Sequence, residues 1–211
     1  IKNYYAIKEL VQPPQWRISF GVGNRVCTIG GEEVLHRHDR TFYAQTAIAI
    51  EVHDEMENLE NAVKAIDELE VNRIGESLRL DAIAIRSTTN DPDVFTQCVK
   101  KVTKLSDLPL IFCTFNPEVM QRAASDFQEI RPLLYAATPK NGGDFAKIAK
   151  KTNLPLVCRA DNVEDLFSLV HSLSEFGVKD LVLDPGTYFG EGNQTLTYNT
   201  VQKIRHQVFE N

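Results

Sequence analysis

Polar side chains stand at the ends of several short apolar runs, and their types could do binding chemistry. Six of them are candidate ligand-binding residues: Arg86, Asn116, Thr138, Asn141, Asp161 and Asp184. Guanidinium, amide, hydroxyl and carboxylate groups donate and accept hydrogen bonds, so a ring of them could hold a small polar ligand. A structural interpretation stays open beside it, because Asn116 and Asp161 could cap helices and Asp184 could anchor its loop.

Nucleophilic and metal chemistry have weaker support in the sequence. No G-x-S-x-G motif occurs, and no Cys lies beside a plausible base, so we predict no catalytic residue. His36 and His38 are one residue apart and could share a metal ion on an extended segment. Arg37 and Arg40 flank them and would repel a cation. We therefore favour a structural role for this segment, as a cluster of hydrogen bonds and ion pairs, and we predict no metal site.

Two glycine-rich segments resemble phosphate-binding loops only superficially. Gly21 and Gly23 match half of a dinucleotide fingerprint, but residues 25–29 continue as a strand and offer no helix N-terminus. They predict a hairpin turn instead. Residues 141–143 (Asn-Gly-Gly) lack the Lys-Ser/Thr of a P-loop and are expected to begin a helix.

The elements that must position these residues follow a regular alternation. Six apolar runs are predicted to be buried strands: residues 46–53, 80–87, 109–115, 132–138, 154–160 and 180–184. Between them, apolar residues recur at helical spacing, as in Leu59, Ala62, Val63, Ile66 and Leu69, or Val94, Cys98, Val99, Val102 and Leu105. Asp-Pro and Asn-Pro pairs predict helix starts at Pro92 and Pro117, and Gly177 predicts a helix end.

Right-handed crossovers make six such strand–helix units a parallel sheet. We predict an α/β fold, a TIM-like (β/α) barrel that is incomplete because it has six units rather than eight. An open, doubly wound sheet that is complete as it stands remains an alternative. Residues 1–45 are expected to form an N-terminal extension with a β-hairpin. Residues 46–211 would hold the barrel, truncated before units seven and eight; residue 1 is Ile, which also suggests a piece of a longer chain.

Composition excludes several classes of protein. The net charge is −6, with 23 basic and 29 acidic residues and no basic run, which argues against a nucleic-acid partner. No apolar stretch is long enough to cross a bilayer. Cys27, Cys98, Cys113 and Cys158 are dispersed, as expected of core residues in a reduced, cytoplasmic protein. Four scattered cysteines also predict no iron–sulfur cluster in this chain.

Several strings in this sequence are familiar. They are residues 30–42 (GGEEVLHRHDRTF), 46–50 (TAIAI), 79–86 (RLDAIAIR), 131–138 (RPLLYAAT) and 181–186 (LVLDPG). In order and position they resemble the large (gamma) subunit of the corrinoid iron–sulfur protein of the CO dehydrogenase/acetyl-CoA synthase system. The resemblance covers roughly residues 15–186, and it corresponds to the central barrel of that subunit.

The resemblance implies a methyl carrier with three modules. An N-terminal domain holds a [4Fe–4S] cluster through four cysteines, a barrel follows, and a C-terminal domain carries the corrinoid cobalt. The family pairs with a small barrel subunit, takes a methyl group from a methyl-tetrahydropterin methyltransferase, and delivers it to acetyl-CoA synthase. Neither cofactor-binding domain is matched here, so both cofactors are expected in flanking domains and no cofactor-binding residue transfers to this sequence.

Two hypotheses of function therefore stand. The first is a barrel scaffold of the methyl carrier, which binds partners and has no catalytic residues of its own. The second is an enzyme, a free-standing pterin-binding methyltransferase barrel in which Asn116, Asp161 and Asp184 hydrogen-bond the pterin ring. We favour the scaffold, because fold analogy alone does not confer an activity.

Overall fold

The structure is a computed structural model that describes residues 17–31, 44–186 and 197–204. Its strands are β1 (Arg17–Phe20), β2 (Cys27–Gly30), β3 (Ala49–His53), β4 (Glu70–Arg73), β5 (Glu76–Arg79), β6 (Ala82–Arg86), β7 (Leu110–Cys113), β8 (Leu133–Ala137), β9 (Leu156–Arg159) and β10 (Leu181–Asp184). Its helices are α1 (Leu59–Asp67), α2 (Pro92–Leu105), α3 (Pro117–Asp126), α4 (Gly142–Thr152) and α5 (Val163–Phe176). A 3-10 turn spans Gln128–Ile130, and residues 197–204 are helical.

Six parallel strands form the central sheet in the order β3-β6-β7-β8-β9-β10, which is their order along the chain. Each helix from α1 to α5 packs on the next one in sequence. Consecutive strand order with neighbouring helices is the arrangement of a (β/α) barrel, whereas a doubly wound sheet reverses its strand order. The predicted incomplete barrel of six units is thus confirmed, and the doubly wound alternative is wrong.

The sheet is open between its first and last strands. In the described part of the chain β3 and β10 lie at opposite edges and do not pair with each other. Ile48 and Ile50, beside and within β3, are 56% and 41% exposed, as expected for an edge that lacks a neighbour. Leu183 in β10 is partly buried against the helix-side core.

Local signals explain where the helices begin and end. The Asp91 side chain accepts hydrogen bonds from the backbone N–H groups of Asp93 and Val94, and Pro92 occupies the first turn of α2. Asn116 caps α3 in the same way by accepting from Glu118. Helix α5 ends at Gly177, whose φ of +98° is a left-handed conformation that glycine adopts without steric cost.

Apolar residues bury both faces of the sheet, but with different partners. The helix-facing cluster is the larger and includes Ile83, Ile85, Phe112, Leu134 and Leu156, packed against helix residues such as Phe95, Val99, Met120, Phe145 and Leu166. The inner face has a smaller cluster, made of Phe20, Cys27, Ala82, Leu133, Ala136 and Val157. Two of its members come from β1 and β2, so the N-terminal hairpin covers the inner face of the sheet.

The hairpin β1–β2 is antiparallel, and the turn predicted at Gly21 and Gly23 is confirmed. The Gly21 N–H donates to the carbonyl of Arg131, 2.8 Å away, and Arg131 Nε donates to the carbonyl of Ser19. A Cβ on Gly21 would lie 2.8 Å from the Arg25 carbonyl oxygen, at a φ of +86°, so the turn needs glycine there. Arg131 also donates to Asp180, which connects the hairpin to the last strand–helix units.

Two predictions along the helices need correction, and one hairpin was not predicted. Leu69 does not continue the first helical stripe, because α1 ends at Asp67 and Leu69 is 44% exposed. Val94 is 37% exposed, and Phe95 takes its place in the core. The segment after α1 forms an antiparallel hairpin, β4–β5, that the sequence reading did not predict. Its strands are fully exposed and rich in charge, so they lack the apolar alternation that signals a strand.

Some of the remaining predictions concern residues that the structure describes, and others lie outside them. Cys98, Cys113 and Cys158 are buried, as predicted, and so is Cys27. His36, His38, His206 and the loop at residues 187–194 lie outside the described residues. His171 is exposed, and its Nε2 lies 3.4 Å from Glu175 Oε1. Within the described ranges no helix is long and apolar enough to cross a membrane.

Candidate functional site

The inner face of the sheet turns polar toward the carboxyl ends of its strands. Val52, Ile85 and Phe112 belong to the helix-side core. The residues next to them along each strand point the opposite way, to the inner face. These inward residues are Glu51, His53, Arg86, Cys113, Tyr135, Arg159 and Asp184, and the strand registers place them at similar heights. Because ligands of βα folds bind at this end, we call this layer the mouth.

Arg86 and Glu51 form a bidentate ion pair in the mouth. Arg86 Nε donates to Glu51 Oε1 at 2.8 Å, and Nη2 donates to Oε2. The hydrogen bond from Arg86 lowers the pKa of Glu51, and the same bond raises the pKa of Arg86. Both side chains are about half exposed, so the pair fixes the two groups more than it stabilises the fold. Arg86, predicted as a binding residue, is therefore already engaged.

Asp184 is the centre of a second network. Tyr135 donates its hydroxyl to Asp184 Oδ2 at 2.8 Å, and the Gly186 N–H donates to Oδ1 at 2.8 Å. Burial, then the hydrogen bond to Asp184, raises the pKa of Tyr135, so the phenol remains a donor at physiological pH. The structure supports the interpretation that Asp184 anchors its own loop.

Among the described residues Arg159, unlike the other inward arginine, has no partner at hydrogen-bond distance. Its Nη2 lies 3.4 Å from Asp161 Oδ1, and its Nε lies 3.9 Å from Asp184 Oδ2. Neither contact has the length of a charge-assisted hydrogen bond. The side chain is one-third exposed, so its donors face the cleft described below.

Asp54 joins the loops that follow β3 and β6. Its carboxylate accepts hydrogen bonds from the Ser87, Thr88 and Thr89 hydroxyls and from the Thr88 and Thr89 backbone N–H groups. Burial raises the pKa of this carboxyl, but the bonds from Thr88 and Thr89 together outweigh burial and leave it below its ordinary value. An ionised Asp54 thus holds two neighbouring loops of the mouth together.

The other predicted site residues lie on the rim of the mouth. The Asn116 side chain is used in the cap of α3. Thr138 and Asn141 bind each other, since Asn141 Oδ1 accepts from the Thr138 N–H and hydroxyl. Asp161 does not cap a helix, which corrects the structural alternative given above. Asn162 caps α5 by accepting from the Asp165 N–H, while the Asp161 side chain is 83% exposed.

A cleft of about 550 Å³ opens between the loops after β8 and β9. Phe115, Thr138, Lys140, Asn141, Arg159 and Asp161 are among its lining residues. The structure thus brings three predicted residues (Thr138, Asn141 and Asp161) to one cleft and leaves Arg86 and Asp184 on the inner face. Sequence reasoning missed Phe115 and Tyr135, although Tyr135 alternates with the helix-facing Leu134 and could have been found by that signal.

The four cysteines are buried and are not clustered in the described part of the chain. Burial raises the pKa of the Cys27 and Cys98 thiols to about 11 and that of Cys113 and Cys158 to about 12. The four thiols lie in separate parts of the core, on β2, α2, β7 and β9, whereas a [4Fe–4S] cluster needs four thiolates around one site. In the described part of the chain no group of three or more His, Cys, Asp or Glu side chains could hold a metal ion. These residues do not fit a [4Fe–4S] cluster.

Sequence comparison decides the family. The CO dehydrogenase/acetyl-CoA synthase delta subunit family matches residues 17–211. The chain belongs to this family. Similar curated proteins are the acetyl-CoA decarbonylase/synthase complex subunit gamma of Methanopyrus kandleri, 39% identical over 97% of this chain, and subunit gamma 2 of Methanosarcina mazei, 38% identical over 97%. This member of the delta subunit family spans 44% of the length of each of those relatives.

Solved structures show the fold of this delta-subunit-family chain independently. Dihydropteroate synthase of Xanthomonas albilineans, in complex with indole-2-carboxylic acid and 6-chloroguanine, superposes with a TM-score of 0.56 over 91% of this chain and 72% of the synthase, at 16% identity. The same enzyme in complex with 7,8-dihydropteroate gives 0.55 over 77% of this chain and 70% of the synthase, at 14% identity. At these identities the likeness concerns the fold alone.

Proposed function

We propose that this chain is the barrel scaffold of a corrinoid iron–sulfur methyl carrier, working in the cytoplasm. The carrier passes a methyl group between a methyl-tetrahydropterin methyltransferase and acetyl-CoA synthase. The observation that carries the proposal is the family match over residues 17–211, together with relatives named as gamma subunits of the acetyl-CoA decarbonylase/synthase complex. The chain then corresponds to the central barrel, with residues 1–45 as its extension and residues 46–211 as its six units.

The hydrogen bonding of the mouth supports a scaffold. Arg86 binds Glu51, Tyr135 binds Asp184, and Asn116 caps a helix. Groups already engaged with each other hold loops in place and are poorly placed to bind substrate. The corrinoid cobalt and the [4Fe–4S] cluster belong, in this proposal, to flanking domains. The partners are the small barrel subunit, the pterin methyltransferase, and CO dehydrogenase/acetyl-CoA synthase.

The pterin-binding methyltransferase receives no specific support from this geometry. Two of the groups assigned to pterin recognition, the carbonyl of Asn116 and the carboxylate of Asp184, have protein partners at hydrogen-bonding distance. Dihydropteroate synthases share the fold, but fold does not determine function.

Co-purification with the small barrel subunit tests the scaffold proposal. We expect a stable complex when the gamma subunit containing this barrel is expressed with a tagged small subunit. A small subunit that purifies free of it at every salt concentration would contradict the proposal. A titration with methyl-tetrahydrofolate gives the second readout: saturable binding that is lost in both Asn116→Ala and Asp184→Ala would favour the enzyme instead.

A further inference from the structure

The cleft between the loops after β8 and β9 holds a guanidinium that makes no hydrogen bond within the described part of the chain. Arg131 donates hydrogen bonds to Ser19, Asn153 and Asp180, and Arg86 donates two to Glu51. Arg159 is buried to a similar degree as Arg131 but makes no hydrogen bond to another described residue, only the ion pairs at 3.4 and 3.9 Å. The Arg159 donors that no described residue accepts are available to an oxyanion in the cleft, which would form charge-assisted hydrogen bonds with them.

An aromatic surface lies in the same cleft. Phe115 is 47% exposed, although large apolar side chains are usually covered. Its ring is tilted by 50° against Tyr135, with 6.2 Å between centroids, and the Asn141 Nδ2–H donates to the Phe115 carbonyl at 2.9 Å. The ring is therefore backed by Tyr135 and its backbone is fixed by Asn141. An exposed, supported aromatic face suits stacking with a second flat ring.

We infer that this cleft binds a planar aromatic anion, a flat ring that carries a phosphate or a carboxylate. The fork of Arg159 would bind the oxyanion, and Phe115 would stack on the ring. Lys140, exposed on the same cleft and without an ion pair among the described residues, adds positive charge. The volume of about 550 Å³ is in the range of small-ligand pockets.

The negative charge of Asp161 should affect how strongly the cleft binds an anion. Its carboxylate is 3.4 Å from Arg159 and opposes a bound anion. Removing that charge with Asp161→Asn is expected to strengthen anion binding. The inference goes beyond the proposed function and does not depend on it.

Calorimetric titration of the purified protein tests the site with two ring anions, AMP and 2-naphthoate, which separate phosphate from carboxylate recognition. Adenosine lacks the anion, and inorganic phosphate and acetate lack the ring. We expect saturable binding of at least one ring anion, weakened about tenfold or more by Arg159→Gln. Arg159→Lys keeps the charge but loses the forked pair of donors. Its affinity for the ring anion should lie between that of the unaltered protein and that of Arg159→Gln. Phe115→Ala should weaken binding several-fold and Asp161→Asn should strengthen it.

The control is Arg122→Gln, which removes an exposed arginine on the outer side of α3 and should leave binding unchanged. Retained thermal unfolding transitions show that each variant is folded. The inference is overturned if neither ring anion binds saturably at millimolar concentration. It is also overturned if phosphate or acetate alone binds as tightly as the ring anions, or if a folded Arg159→Gln binds as well as the unaltered protein. Any of these results leaves the complex with the small subunit unaffected, so the two proposals fail separately.

Discussion

The two ends of the parallel sheet contrast sharply on its inner face. At the amino end the β1–β2 hairpin covers the strands with Phe20 and Cys27, and the contacts are apolar. At the mouth the same strands present Glu51, Arg86, Arg159 and Asp184, all at least partly exposed. One set of strands therefore serves two purposes, because the inward residues are apolar near the start of the strands and mostly polar near their ends. On this inner face, the buried apolar contacts lie at the covered end, and the polar groups that could bind a ligand lie at the open one.

The largest expected effect on stability comes from removing a buried side chain at the covered end of the inner face. Phe20 is 2% exposed and is a large aromatic side chain of the inner cluster. Phe20→Ala should lower the free energy of unfolding by about 3–5 kcal/mol, since it removes buried area and leaves a cavity. Urea denaturation measures the loss. Val22→Ala, at a position in the same hairpin that is 49% exposed, is the matched control and should change stability by less than about 0.5 kcal/mol.

A loss below about 1 kcal/mol for Phe20→Ala would contradict the contrast between the two ends of the sheet. The hairpin would then be an accessory and not part of the core.

An intermediate effect is expected at the mouth and should depend on pH. The folded pKa of Asp54 is below its unfolded value, so the ionised carboxylate stabilises the fold above the unfolded pKa. That contribution is lost as pH falls from about 4 through the folded pKa. Asp54→Asn should lower the free energy of unfolding by about 2 kcal/mol at neutral pH, because several hydrogen bonds to a charged acceptor weaken. Urea denaturation across pH should show the difference shrinking in acid.

Asp107→Asn, at an exposed acidic position, is the control for Asp54→Asn and should change the free energy of unfolding by less than about 0.5 kcal/mol at neutral pH. A pH-independent loss in Asp54→Asn would show that packing, and not the charge, connects the two loops.

The smallest effect belongs to a rim residue that first looked like a ligand group. Asn116→Ala should cost about 1 kcal/mol, as expected for the loss of a helix cap. Asn116→Asp keeps the acceptor oxygen and should cost less. Thermal unfolding followed by circular dichroism resolves the two. If Asn116→Ala is as stable as the unaltered protein, the cap interpretation is wrong and Asn116 becomes available for binding again.

Local patterns predicted the frame of the molecule well. The apolar runs predicted all six strands of the sheet, because strands buried on both faces are nearly continuous in Ile, Val and Leu. Pro92, Pro117 and Gly177 marked helix ends through backbone geometry that depends on the residue itself. The hairpin β4–β5 escaped prediction, since Glu70, Ser77 and Arg79 stabilise it through polar contacts without a buried face.

The site was predicted only in part, for a physical reason. Arg86 and Asp184 were recognised by their places at strand ends, but their partners are 35 and 49 residues away, at Glu51 and Tyr135. Sequence spacing does not show whether a polar group is already satisfied by such a distant partner. Arg159 becomes distinctive only when its contacts are compared with those of Arg86 and Arg131, and that comparison requires coordinates.

The tip of the β4–β5 hairpin is a suitable site for a spectroscopic label. Ile74 is 95% exposed, and it holds a φ of +52°, which a β-branched residue rarely adopts. All four native cysteines are buried with raised thiol pKa values, so Ile74→Cys would introduce a thiol that reacts far faster than they do. A single dye or spin label attached there would report distances to a labelled partner, while the mouth and the covered end keep their native side chains.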